Sequence, residues 1–138
     1  MTTGVIESYY KRESGFHPFF IREHWQVAQL NYLPRLDFTA IDRVEQHQQT
    51  DEVFVLTKGA SILIAAKIEN NAVHFDCTRM QQGVTYNVPV NAWHAIAISE
   101  DGEVIIVEKS NTHLNDVNYF FLSENDKENL KEQILQLI

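Results

Sequence analysis

The stretch Glu45-Gln46-His47-Gln48-Gln49-Thr50-Asp51-Glu52-Val53-Phe54-Val55-Leu56-Thr57-Lys58-Gly59 carries the reading of the fold. Successive side chains of a strand leave opposite faces, so Glu52, Phe54 and Leu56 share one face and Val53 and Val55 the other. By the same alternation Glu45 and His47 leave one face together with Arg43 and Ile41. Gln48 to Asp51 connects the two runs, and Lys58-Gly59 reads as a tight turn into a further strand. Three potential ligands, Glu45, His47 and Glu52, can therefore converge on one interior.

Working outward, the rest of the chain shows the same punctuation. Trp25 to Tyr32 and Leu36 to His47 are β-rich runs separated by Pro34, and Ser61 to Ile68 follows Gly59. Glu69-Asn70-Asn71 turns the chain into Val73 to Met80, and Gln82-Gly83 turns it into Val84 to Val90. Trp93 to Ser99 meets Glu103 to Lys109 across Asp101-Gly102. Helical crossovers do not fit between most of these strands, which favours an all-β sandwich or small barrel over an α/β fold. The C-terminal sixteen residues differ. Ser123 and Asp126 form a variant of the capping box, and Leu130, Ile134, Leu137 and Ile138 then recur on one helical face, predicting a short helix over about 123–138.

Composition narrows the function. A length of 138 residues suits one domain, with the barrel core expected over about 25–110. Eleven Lys and Arg against nineteen Asp and Glu give a net charge of −8, which repels phosphate backbones and anionic headgroups. Nucleic acid and membrane are accordingly not expected as partners. A single cysteine, Cys77, excludes an intrachain disulfide and a thiolate cluster. No apolar run of signal-peptide or membrane-span length is present, so a soluble, cytoplasmic protein is expected. There is no Gly-x-Ser-x-Gly elbow, P-loop or dinucleotide fingerprint.

The fourth candidate ligand, His94, follows Pro89 and Asn91 at the start of a strand. With it the spacing resembles the cupin superfamily, whose motifs are G-x5-H-x-H-x3,4-E-x6-G and G-x5-P-x-G-x2-H-x3-N. His47, Glu52 and Gly59 match the first at the required intervals, with Glu45 in place of the first histidine and Thr39 in place of the opening glycine. Gly83, Pro89 and His94 match the second, with Asn91 in place of the glycine and Ile98 in place of the asparagine. The resemblance implies a cupin double-stranded β-helix, a jelly-roll barrel, with the short C-terminal α-helix beside it. It also implies a divalent metal ion, Mn, Fe, Ni or Zn, held inside by His47, Glu52 and His94, with Glu45 as a possible fourth ligand. Fold-level analogy does not name a reaction.

Three readings stay open at this level. One is metal-assisted chemistry on a small organic molecule, of isomerase or dioxygenase type; the second is a metal-free binding or sensing module using the same cavity, and the third is a structural or accessory subunit. Taken singly, each ligand candidate also has an ordinary reading, such as a solvent-facing Glu45 and His47, a Glu52–Arg43 pair and a turn-capping His94. Alternation places Arg43, Phe54 and Ile96 on the cavity wall and lets Tyr86 reach its mouth, so these four are the candidate small-molecule-binding residues. Arg43 pairs with Glu45 or receives a substrate carboxylate. Trp93 should leave the face opposite His94. His17, His24, His74 and His113 are left as surface or hydrogen-bonding residues, and Cys77 as an inert thiol. The outward-facing Val53, Val55, Ala95 and Ala97 suggest a homodimer.

Overall fold

The computed structural model describes residues 4–138. Its strands form two five-stranded antiparallel sheets. In the first sheet the order is β1 (Gly15–Ile21), β2 (Gln26–Asn31), β9 (Glu103–Glu108), β4 (Glu52–Lys58) and β7 (Thr85–Val88). In the second it is β10 (Asn118–Phe121), β3 (Arg43–Gln46), β8 (Trp93–Ile98), β5 (Ser61–Glu69) and β6 (Ala72–Arg79). From β3 onward every connection except β5–β6 carries the chain from one sheet to the other. That alternation is the double-stranded β-helix, or jelly roll, and the fold is all-β with one short C-terminal helix, as expected.

Local chemistry explains the turns. Asn70 and Asn71 have φ of 52° and 64°, and Glu69 faces Ala72 across them, a two-residue turn whose twist matches that of its strands. Gly59 turns β4 into β5 with φ of 75°, and a Cβ there would lie 2.8 Å from the Cα of Gly102. Only glycine meets both demands. Between the sheets, Leu30, Phe54, Leu56, Ile98, Val104 and Ile106 build the core by strand alternation.

Several expected boundaries move. The run 36–47 is not one strand: Pro34–Leu36 is a 3₁₀ turn and strand geometry begins only at Arg43. Asp37 accepts hydrogen bonds from the Tyr32 hydroxyl and from the Thr39 backbone N–H and hydroxyl, local bonds that compete with a ladder. The strands also reach beyond 25–110. β1 was obscured by Gly15, His17 and Pro18, and pairs with β2 through a bulge between Pro18 and Phe20. β10 spans only four residues and follows α1 (Thr112–Asn115), a single turn without a sequence signal.

The C-terminal helix, α2 (Glu124–Leu135), is capped by the Ser123 hydroxyl, which accepts from the Asp126 N–H at 3.1 Å. Its buried Leu130 and Ile134 belong to the core cluster, and the helix packs beside β6. Ala97 lies in that same cluster and is fully buried, so it does not belong to an exposed dimer face; Val53 and Val55 are half-buried on the other sheet. Among the described residues, no helix is long and apolar enough to cross a membrane.

Candidate metal centre and adjoining cavity

The sheets bring four ligand side chains together. β4 of the first sheet supplies Glu52, while β3 and β8 of the second supply Glu45 and His94, which are direct cross-strand partners. His47 follows β3 by one residue. One ligand atom from each of Glu45, His47, Glu52 and His94 lies within 4.8 Å of the others. Donors ~2.1 Å from a shared ion are at most about 4.2 Å apart, so a slight contraction closes the set around a cation.

The hydrogen bonds orient this set. His47 Nδ1 donates to the Asp116 carbonyl at 2.7 Å, and His94 Nδ1 donates to the Ala92 carbonyl at 3.0 Å. Carbonyls only accept, so each Nδ1 carries its proton and each Nε2 lone pair is turned inward, the tautomer a metal requires. Both Nε2 atoms meet the same oxygen, Glu52 Oε1, at 3.0 and 2.9 Å. Glu45 Oε1 stands 3.9 and 3.7 Å from them. With Nδ1 already protonated, each Nε2 contact to Glu52 needs an additional proton on the ring, or else a cation in the middle. Two imidazole nitrogens and two carboxylates therefore fit a divalent ion of the Mn, Fe or Zn kind.

The electrostatics follow from this crowding. Burial alone would lower the His47 pKa, but the hydrogen bond and charge of Glu52 outweigh it and raise it to about 9. His94 is raised for the same reasons. Burial opposes ionisation of Glu52, yet its two imidazole partners hold it down at about 2. Glu45, without such bonds, is raised by burial and by the neighbouring Glu52 charge.

Beside the four ligands lies a cavity of about 190 Å³. Phe54 and Ile96 line it as expected. Arg43 lines it too, but its guanidinium is bound to Asp42, with Nε at 2.8 Å, and not to Glu45, because the adjacent carboxylate is nearer. It also lies over the rings of Tyr119 and Phe121. Tyr86 does not line the cavity; its ring packs on the core and its hydroxyl accepts from the Gln81 N–H at 2.9 Å. Trp93 points away from His94 to contact Phe120, as alternation requires.

Other site residues escaped the sequence reading. Asp116 holds His47 through its carbonyl, and its carboxylate accepts the Gln48 and Gln49 N–H groups at 2.9 and 2.8 Å. Nothing in sequence ties Asp116 to the motif. Glu108 is buried on the cavity wall, with Oε2 accepting from Gln26 at 3.0 Å. Burial, reinforced by the Glu52 charge, pushes its pKa up to about 8. Its signal was present, since alternation along β9 puts Glu108 on the face of Val104 and Ile106. The His113 ring lies tilted at 54° against that of Phe16, and its Nδ1 accepts from Gln26 at 3.2 Å. Cys77 is half-buried on β6, and burial pushes its thiol pKa up to about 11.

No protein-family model matches the chain, and no curated protein does. Solved structures do. The protein BH2720 of Bacillus halodurans aligns with a TM-score of 0.57 at 12% identity, covering 77% of each chain. KdgF from a Halomonas species aligns with a TM-score of 0.52 at 17% identity, over 76% of this chain and 87% of that one. An RmlC-like cupin with a double-stranded β-helix fold from Methanocaldococcus jannaschii aligns at 19% identity over 80% and 96%, with a TM-score of 0.49. The first two carry the comparison, and at such identities it concerns the fold alone.

Proposed function

Starting from a chain with the cupin fold, we propose that it binds one divalent cation through Glu45, His47, Glu52 and His94 and acts on a small organic molecule in the adjoining cavity. The carrying observation is the pair of imidazoles whose Nδ1 protons are fixed on backbone carbonyls while both Nε2 atoms converge on Glu52 Oε1. A bound cation would act as a Lewis acid, polarising a carbonyl or hydroxyl oxygen of the substrate. The chain's own residues supply the rest. Phe54, Ile96 and Ile106 exclude water, and Glu108 offers a carboxyl whose Oε1 has no hydrogen-bond partner among the described residues. That oxygen can give or take a proton beside the substrate, which favours proton-transfer, isomerase-type chemistry over dioxygenase-type chemistry.

Elemental analysis of untagged protein tests the reading. Near-stoichiometric Mn, Fe, Ni or Zn is expected in wild type, falling at least about tenfold in His94→Ala, as loss of one ligand does. A wild-type protein that stays metal-free after reconstitution with each ion would sink it. The largely apolar wall favours, as second reading, a metal-free binding module, in which ligand binding survives both His94→Ala and excess chelator.

A further inference from the structure

Most charged groups around the cavity have a partner. Arg43 is closed by Asp42. On the metal reading above, on which this inference rests, Glu45 and Glu52 balance the two charges of the cation, with both histidine ligands neutral. Glu108 lies one residue past the Val53–Val107 pair, on the strand beside Glu52, and its Oε2 accepts from Gln26. His113 accepts at Nδ1 and is kept neutral by burial.

Arg35 is left over. It sits in the 3₁₀ turn Pro34–Leu36, whose Leu36 is anchored in the core, and its side chain lines the cavity. Among the described residues it makes no hydrogen bond and no ion pair, although its charge acts on Asp42 and Glu45 from beyond contact distance. Exposed at the rim, its guanidinium is, among the described residues, the arginine of the cavity lining that no acid of the chain closes. Around it the wall is apolar, with Leu30, Leu33, Leu36, Ile41 and Phe54. The volume, about 190 Å³, is of the order of the ~150 Å³ apolar cavity that takes a benzene ring, which suits a small organic body.

We propose that Arg35 is the recognition residue for a carboxylate, and that the cavity's ligand is a small monocarboxylate with a mainly apolar body. The guanidinium fork matches a carboxylate in two parallel hydrogen bonds. A phosphate dianion would carry a second negative charge to the edge of Glu45, uncompensated by any free cation of the wall.

The test uses full-length, metal-loaded protein, with metal content measured in each sample. Calorimetric titrations compare pyruvate, butyrate and benzoate with their amides, and with inorganic phosphate. At least one carboxylate is expected to bind about tenfold or more tightly than its amide, a difference that Arg35→Gln abolishes and Arg35→Lys partly retains. Amide binding should weaken less than carboxylate binding, and the melting temperature and metal content should not move in either variant, which separates lost recognition from misfolding. Equal affinity for acid and amide, an unchanged carboxylate affinity in Arg35→Gln, tighter binding of phosphate, or no binding by any carboxylate overturns the inference. If metal is retained in those cases, the metal reading stands while this one falls; if wild type holds no metal, the metal reading itself has failed.

Discussion

At the scale of single residues, the ligand set ties stability to pH. Without metal, folded Glu52 binds fewer protons than unfolded Glu52 between about pH 2 and 4.5, so acid removes stability across that window. Folded His47 binds more protons than the unfolded chain between 6.5 and about 9, and folded Glu108 does so between 4.5 and about 8. Both losses come as the pH rises. Melting temperature measured in chelator is therefore expected to peak near about pH 4.5, to fall gently up to 6.5 and more steeply toward pH 9, with Glu108→Gln flattening the decline. A Tm that climbs from pH 6.5 to 9 in chelator would contradict the assignment. The departures from the motif are also readable at this scale. Asn91 takes the place of a glycine with φ of 71°, and asparagine tolerates the left-handed region best after glycine. Its N–H donates to the His47 carbonyl at 2.8 Å, so the substitution keeps the turn that sets the ligand.

Among the elements, strand alternation was visible wherever one face was buried. β4, β5, β8 and β9 lie within one residue of their sequence reading because Val, Ile and Phe repeat with period two between strong turns. β1 and β10 were not visible, since their pairing comes from neighbours and not from a pattern of their own. The same limit applies to the site. Spacing marks His47, Glu52 and His94, and the alternation along β9 places Glu108 on the buried face. Asp116 and Arg35 join the site only through tertiary contact. The helix α2 offers an element-scale test. Ile134 is fully buried, so Ile134→Ala should cost about 2 to 5 kcal/mol by chemical denaturation. A change under about 1 kcal/mol would mean that the helix is not docked in solution.

For the whole molecule, the outer face of the first sheet stands out. Val53 pairs with Val107 and Val55 with Ile105, all half-buried, forming an apolar strip across β4 and β9. We propose a homodimer built on that strip, to which the fully buried Ala97 of the second sheet does not contribute. Sedimentation showing only a 16.0 kDa species at micromolar concentration would exclude it. Sequence carried the layered architecture to this scale, because two sheets are the way to bury so many alternating strands. It did not carry the balance of charge around the cavity, which depends on which acid finds which base.

The anchoring of His47 on Asp116 also has a meaning in time. The acceptor that fixes the imidazole lies 69 residues downstream of it, and His94 must arrive from the intervening chain. A nascent chain on the ribosome has Glu45, His47 and Glu52 long before it has either partner. The four side chains thus come together only after residue 116 has left the exit tunnel, so on the proposed metal reading ion capture belongs to the finished barrel, not to its synthesis.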